Sequence, residues 1–307
     1  MGTKTGWIIL ILILIVASFF RVWRLYEDPS REALTPALPA STPPGLYSDE
    51  AMNGNNAHEA LRTWRTGEGF RVFYPENNGR EGLFINIQAL SIAIFGHTSF
   101  ALRIVSALFG ILTVLVICLF TYEYTRQRSV ALIAGYLLAT SFWHVMFSRI
   151  GFRAIMAPFF LTCGMWLLYM VWNRAGQTKH SKLLFLAALG GFVFGLGFYS
   201  YIAYRIAPVL LLPALLLFLR EARKNTSRCI LCIPAIYIFF MLLAIVPLAL
   251  YFGQHHQDFL GRTAQISIFS SPHPLKTLLK NAGATIQMFY VVGDFNWRHN
   301  IAGNPAL

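Results

Sequence analysis

The sequence predicts an all-α polytopic membrane protein, and three observations predict it. Hydrophobic residues make up 56% of the chain against 12% charged, and the mean hydropathy is +0.54. Apolar runs of about twenty residues, the length a bilayer-spanning helix needs, recur along the chain. The net charge of +12 does not imply nucleic acid as a partner. Lys and Arg fall mostly between the apolar runs, where anionic lipid head groups are their natural partners.

The elements follow in order. The first candidate span, 7–26, follows Lys4, and no small-residue cleavage site comes after Phe19-Phe20-Arg21. It reads as a retained anchor rather than a cleaved leader. Further spans are expected at 101–123, 129–147, 154–173, 183–201, 206–219 and 229–252. The run Leu83 to Phe95 is shorter and interrupted by Asn86 and Gln88. Basic clusters at Arg126 and Arg128, at Arg174, Lys179 and Lys182, and at Arg220, Arg223, Lys224 and Arg228 are separated by two spans each. All can therefore face the side where short loops collect Lys and Arg. With Lys4 on that side too, parity keeps Leu83 to Phe95 from crossing. The expectation is about seven spans in a single membrane domain, 1–307, with a large outer loop at 27–100 ending in a juxtamembrane helix. A last outer segment follows at 253–307, where 276–292 suits an interfacial helix. Thr35 to Pro44 reads as an extended linker. The four cysteines sit in or beside apolar runs, which argues against a disulfide framework. Cys229 and Cys232, despite their CxxC spacing, read as small apolar side chains.

The polar residues cluster at the outer rim. Asp49 and Glu50 follow the first span, and Glu81 directly precedes the juxtamembrane helix. Carboxylates at the edge of the hydrocarbon region read as functional. Asp49 also suits a helix N-cap, and Glu81 could cap the next helix or pair with Arg80. Arg149, Arg153 and Arg205 lie in short outer loops, against the topology signal. Snorkelling explains such residues one at a time, whereas a phosphate site explains them together, since the guanidinium fork matches phosphate oxygens. Arg262 and Lys276 extend that set. His58 and Glu59 read as a solvated helix face, and His144 as a satisfied interior histidine. The adjacent His255 and His256 lack the one-face spacing of a helical zinc site, so no metal ligand is assigned.

Asp49-Glu50 after the first span, Gly82-Leu83-Phe84-Ile85-Asn86, Phe95-Gly96, and Phe100-Ala101-Leu102-Arg103 together resemble the membrane glycosyltransferases of the GT-C class. The likeness is greatest to the protein O-mannosyltransferase and aminoarabinose-transferase group. Ser148 to Arg153 and Gly197 to Arg205 are similar to bacterial members of that group. The resemblance implies a GT-C-like bundle, with this chain matching the N-terminal part of a longer pattern. It implies inverting transfer of a sugar from a polyprenyl-phosphate donor to an acceptor hydroxyl on a protein, lipid or envelope glycan. That transfer would take place on the outer face of a prokaryotic plasma membrane. The family's acidic residues map onto Asp49, with Glu50 beside it, and onto Glu81. Where oligosaccharyltransferases have a second acidic motif, this chain has Arg149 and Arg153, so a divalent cation is not favoured.

The residue types suit that chemistry independently. Asp49 is the candidate base for the acceptor hydroxyl, with Glu50 and Glu81 as its acidic companions. Arg149, Arg153, Arg205, Arg262 and Lys276 are candidates to stabilise the departing phosphate. The competing reading is a transporter or flippase of lipid-linked sugars, which would bind the same phosphate without a base. Gly190, Gly191, Gly195 and Gly197 interrupt one span in the manner of a transporter's broken helix. A non-catalytic scaffold subunit is a third reading, in which Asp49 would be replaceable.

Overall fold

The computed structural model describes residues 4–25, 46, 48–66, 71–76, 79–174, 179–224, 231–293, 295 and 303. The expected linker at Thr35 to Pro44 and the candidate Cys229 lie outside them. Helix α1 is Lys4–Val22, α2 is Ser48–Thr66 and α3 is Gly82–Phe95, with strands β1 (Phe73–Tyr74) and β2 (Arg80–Glu81) between the last two. Then come α4 (Ser99–Thr125), α5 (Arg128–Thr140), α6 (Phe142–Arg149), α7 (Met156–Asn173) and α8 (His180–Leu196). The 3-10 helix Ile202–Leu210 leads into α9 (Leu211–Lys224), followed by α10 (Cys232–Gln254), α11 (His256–Ile266) and α12 (Pro274–Tyr290).

Among the described residues, six helical stretches are long and apolar enough to cross a membrane, or up to seven if α5 and α6 count as one bent span. That agrees with the expected number. The expected span 129–147 is the bent one: α5 and α6 meet at 55°. Arg21, fully buried at the end of α1, covers the joint by donating to the carbonyls of Ala139 (2.9 Å) and Leu138 (3.1 Å). These carbonyls belong to the last turn of α5, where no helical N–H remains to bond them. The same Nη that bonds Leu138 also donates to His144 Nδ1 at 2.8 Å. The buried Nε2 of His144 has no partner among the described residues, so the expected satisfied histidine is satisfied at one nitrogen alone.

Helix α3 is too short to cross and lies against α2 and α4. The tightest helix pairing joins α8 to α10. A Cβ at Gly191 or Gly195 would collide with the backbone carbonyl of Tyr237 or Met241. These glycines let two helices approach closely, as small residues do in membranes. Of the glycines that the transporter reading drew on, Gly190, Gly191 and Gly195 lie within the unbroken α8, and Gly197 opens the 3-10 turn Gly197–Tyr199 that follows it. Around this contact lies the main core, including Phe84, Met156, Phe160, Phe194 and Tyr237.

Cys118 and Cys163 are free thiols, whereas Cys232 is disulfide-bonded. This corrects the reading of Cys232 as merely a small apolar side chain. It stands at the first residue of α10, half-buried.

Candidate functional site

The site forms where α2, the small hairpin and the chain around the α6–α7 turn meet the N-terminal end of α4. Two residues per strand suffice to build it: β1 and β2 are antiparallel, pairing Phe73 with Glu81 and Tyr74 with Arg80. Gly79 turns between them at φ +80°, in the left-handed region that favours glycine. Gly82 ends β2 so close to the Arg71 carbonyl that no Cβ fits. Tyr74, whose phenol burial pushes up to about 12, stays protonated and donates to Asn86 Oδ1 at 2.9 Å. The hairpin is thereby tied to α3.

Successive residues of a strand point to opposite faces, and here that separates Arg80 from Glu81. Arg80, 2% exposed, turns toward α2, where its Nη2 meets Asp49 Oδ1 at 2.6 Å and its Nη1 donates to the Asp49 carbonyl at 3.0 Å. Glu81 turns the other way. Its Oε2 accepts from Arg153 Nε at 3.2 Å, and its Oε1 lies 4.0 Å from Arg205 Nη2. Adjacency in sequence suggested an Arg80 and Glu81 pair, and the strand geometry replaces it with these two.

The acidic residues differ in reach. Asp49, in the first turn of α2, keeps 26% of its side chain exposed. Glu50 is fully buried, gripped by Arg103 Nε at 2.9 Å and Nη2 at 3.2 Å, and it accepts the Gly151 N–H at 2.6 Å. Asp49 is thus the carboxylate that a molecule arriving from outside can meet, while Glu50 binds α2 to α4 and to the turn before Arg153.

The arginines separate in the same way. Arg153 stacks over Tyr201, its Cζ 5.4 Å from the ring centroid, and Arg205 lies over Phe259 at 4.4 Å and Phe252 at 5.4 Å. Arg205 also donates to Thr263 Oγ1 at 2.9 Å. Arg149 is buried elsewhere: its Nη1 donates to the Phe20 carbonyl at 2.9 Å, capping the end of α1. Lys276 is exposed on α12, and the side chain of Arg262, on α11, lies outside the described residues. Arg103 is a site residue that sequence reasoning left without a role, and Arg80 one that it considered only as a partner of Glu81. The signal available was burial: an arginine one turn inside a membrane helix, as Arg103 is, needs a partner.

Arg205 stands on the wall of an apolar groove of about 680 Å³, lined also by Phe198, Leu248, Phe252, His256 and Phe259. A second, aromatic cavity of about 370 Å³ lies across Tyr201, walled by Trp143, Phe147 and Phe152. Among the described residues no group of three His, Cys, Asp or Glu side chains gathers that could hold a metal ion.

Among solved structures, the chain is similar to the Archaeoglobus fulgidus oligosaccharyltransferase in its apo form, with a TM-score of 0.52 and 15% identity over 98% of this chain. It is equally similar to the same enzyme in complex with Zn and sulfate, with a TM-score of 0.51 and 15% identity over 91% of this chain. The chain spans 39% and 40% of the lengths of those two structures, and at this identity the likeness shows the fold. No curated protein matches at a significant level. The family model for dolichyl-phosphate-mannose-protein mannosyltransferases matches residues 78–260, which takes in Glu81, Arg103, Arg153 and Arg205. With more than half of its length matched to that model, and with apolar helices that agree with it, this membrane-integral chain belongs to the dolichyl-phosphate-mannose-protein mannosyltransferase family.

Proposed function

We propose that the chain supplies the catalytic end of an inverting glycosyltransferase that moves a sugar from a polyprenyl-phosphate donor to an acceptor hydroxyl on the outer face of the membrane. The observation that supports it best is the pairing of a reachable carboxylate with an arginine on an apolar groove. β2 joins the two, holding Asp49 through Arg80 on one face and Arg205 beside Glu81 on the other.

In this reading the polyprenyl chain lies along the groove of Phe198, Leu248 and Phe252, and its phosphate meets Arg205 at the groove wall. Arg153 stands on the other side of Glu81. The two guanidiniums offer fixed donors to the charge that develops on the leaving phosphate oxygen. Glu81 holds them apart and oriented. Asp49 takes the proton of the acceptor hydroxyl as its oxygen attacks the anomeric carbon, and the carbon–phosphate oxygen bond breaks in the same displacement, inverting the centre. Arg80 orients the Asp49 carboxylate through its 2.6 Å bond. Arg149 is used at the end of α1, where it bonds the Phe20 carbonyl, and neither it nor the exposed Lys276 is given a step in this mechanism. A carrier would use the same arginines, but Gly191 and Gly195, which the carrier reading counted as a break, are accounted for by close helix packing. Mannose and aminoarabinose, and protein, lipid or glycan acceptors, are all compatible with this chemistry.

Transfer of radiolabelled sugar from polyprenyl-phosphate donors, measured in proteoliposomes with the parent chain and Asp49→Asn, tests the reading. Loss of transfer with donor binding retained is expected. Undiminished transfer would remove Asp49 from the chemistry, and donor crossing the bilayer without transfer would make the protein a carrier.

A further inference from the structure

Asn53 stands on α2 one turn after Asp49 and Glu50, 1% exposed, and the proposed chemistry gives it nothing to do. Its amide is used at both ends. Arg80 Nη1 donates to Asn53 Oδ1, and Asn53 Nδ2 donates to the Gly151 carbonyl at 3.0 Å. A guanidinium can only donate and a carbonyl can only accept, so these partners fix which way the amide points.

Glu50 completes the grip. It accepts the Gly151 N–H at 2.6 Å and is itself held by Arg103. Glu50 and Asn53, at i and i+3 on α2, share one helix face. That face therefore holds both backbone polar groups of Gly151. Gly151 sits in close quarters there, since a Cβ would lie 3.2 Å from Gln88 Nε2 and 3.4 Å from Glu50. Arg153, the partner of Glu81, follows two residues later, and Arg80, the partner of Asp49, holds the other end of the same amide.

We propose that Asn53 is a positioning residue that sets the spacing between the two charge pairs of the site, Asp49 with Arg80 and Glu81 with Arg153, by tying the Arg80 guanidinium to the Gly151 backbone. The inference rests on reading these pairs as the transfer site. Asn53 acts through Gly151 and Arg80 rather than on a substrate.

Two substitutions separate this from a plain packing role. Asn53→Asp keeps the size and the acceptor for Arg80 but sets a carboxylate oxygen against the Gly151 carbonyl. Asn53→Ala removes both bonds. Asn55→Ala, at an exposed position on the same helix, is the control. Each is made in the full chain in proteoliposomes, alone and together with Ala154→Cys, whose maleimide labelling rate over the parent background reports where the turn beside Arg153 lies. Both Asn53 variants are expected to fold and to label at position 154 several-fold faster than the parent. Their kcat should fall about ten-fold or more, the scale of one misplaced buried hydrogen bond, with donor KM within about three-fold. Asn53→Asp and Arg153→Lys should combine to less than the product of their separate effects. Unchanged labelling overturns the proposal whatever happens to transfer, as does faster labelling with kcat intact. An Asn53→Asp chain that does not fold overturns it in favour of a purely structural role. If the parent chain transfers nothing, the reading of the site fails, and the labelling rate still decides whether Asn53 holds the turn.

Discussion

The two ends of α4 use the same chemistry in opposite ways. Near its start, Arg103 grips Glu50 with both side chains almost wholly out of solvent, at 4% and 0% exposure. Near its end, about 30 Å away at 1.5 Å per residue, Glu123 meets Arg126 at 2.8 Å and Arg174 at 3.6 Å, and those arginines are 56% and 39% exposed. The contrast separates two meanings of a charged residue in a membrane protein. At the Glu123 end the arginines keep their heads in solvent. At the Arg103 end the charges are enclosed, and each fixes a piece of backbone near Asp49.

The sharpest way to break this comparison is to remove one partner of the enclosed pair. Glu50→Ala takes its carboxylate partner from the buried Arg103 guanidinium and strips the Gly151 N–H of its acceptor. Breaking a buried pair in this way costs about 3–5 kcal/mol. The unfolding midpoint of the purified chain in detergent should drop accordingly, and sugar transfer should vanish even in the fraction that stays folded. A Glu50→Ala chain as stable as the parent would mean that solvent or lipid reaches Arg103 after all.

Arg205 sits between these extremes, half enclosed by Phe252 and Phe259 and facing Glu81 across 4.0 Å. Arg205→Ala should weaken binding of polyprenyl phosphate by about ten-fold to a hundred-fold, the range for one hydrogen bond to a charged group, at about 1.5–3 kcal/mol. Stability should change far less than with Glu50→Ala. Arg205→Lys should recover only part of the affinity, because an ammonium lacks the planar fork. Equilibrium binding of a fluorescent polyprenyl phosphate to proteoliposomes holding each chain measures this directly, and equal affinity in all three chains would move the phosphate site elsewhere.

The spans were legible from sequence because length and apolarity are local properties, and the arrangement of charges was not because it is tertiary. The run 129–147 reads as one continuous span; its bend falls at Ser141, with neither Gly nor Pro to announce it. What supports the bend is Arg21, more than a hundred residues earlier in the chain. Asp49, Glu81, Arg153 and Arg205 stood out in the sequence as rim charges against an apolar background. Their pairing did not, since a two-residue strand is too short to read as alternation, yet that strand sends Arg80 to Asp49 and Glu81 to Arg153. Asn53 was invisible for a related reason: a polar residue on a polar helix has no contrast until the helix is seen to bury that face.

The exposed end makes the smallest prediction, and it decides whether the contrast is real. Arg174→Ala removes one of two partners of Glu123 and leaves Arg126, with Asn173 Nδ2 at 3.4 Å as a further donor. Glu123 itself is 7% exposed, but the Arg174 head stays in solvent and Glu123 keeps its other partners. The loss should therefore stay near the value for exposed pairs, about 0–1 kcal/mol; the unfolding midpoint should barely move and sugar transfer should be unchanged. The residual effect should shrink further in high salt, because screening acts on charges that solvent reaches, whereas the Glu50→Ala deficit should not. If instead Arg174→Ala destabilised the chain as much as Glu50→Ala, the Arg174 guanidinium would have to be as enclosed as that of Arg103. The Glu123 end would then be a second anchoring point of the helix bundle. Salt dependence is therefore the better discriminator: it asks where the charges sit, and stability alone asks only how much they matter.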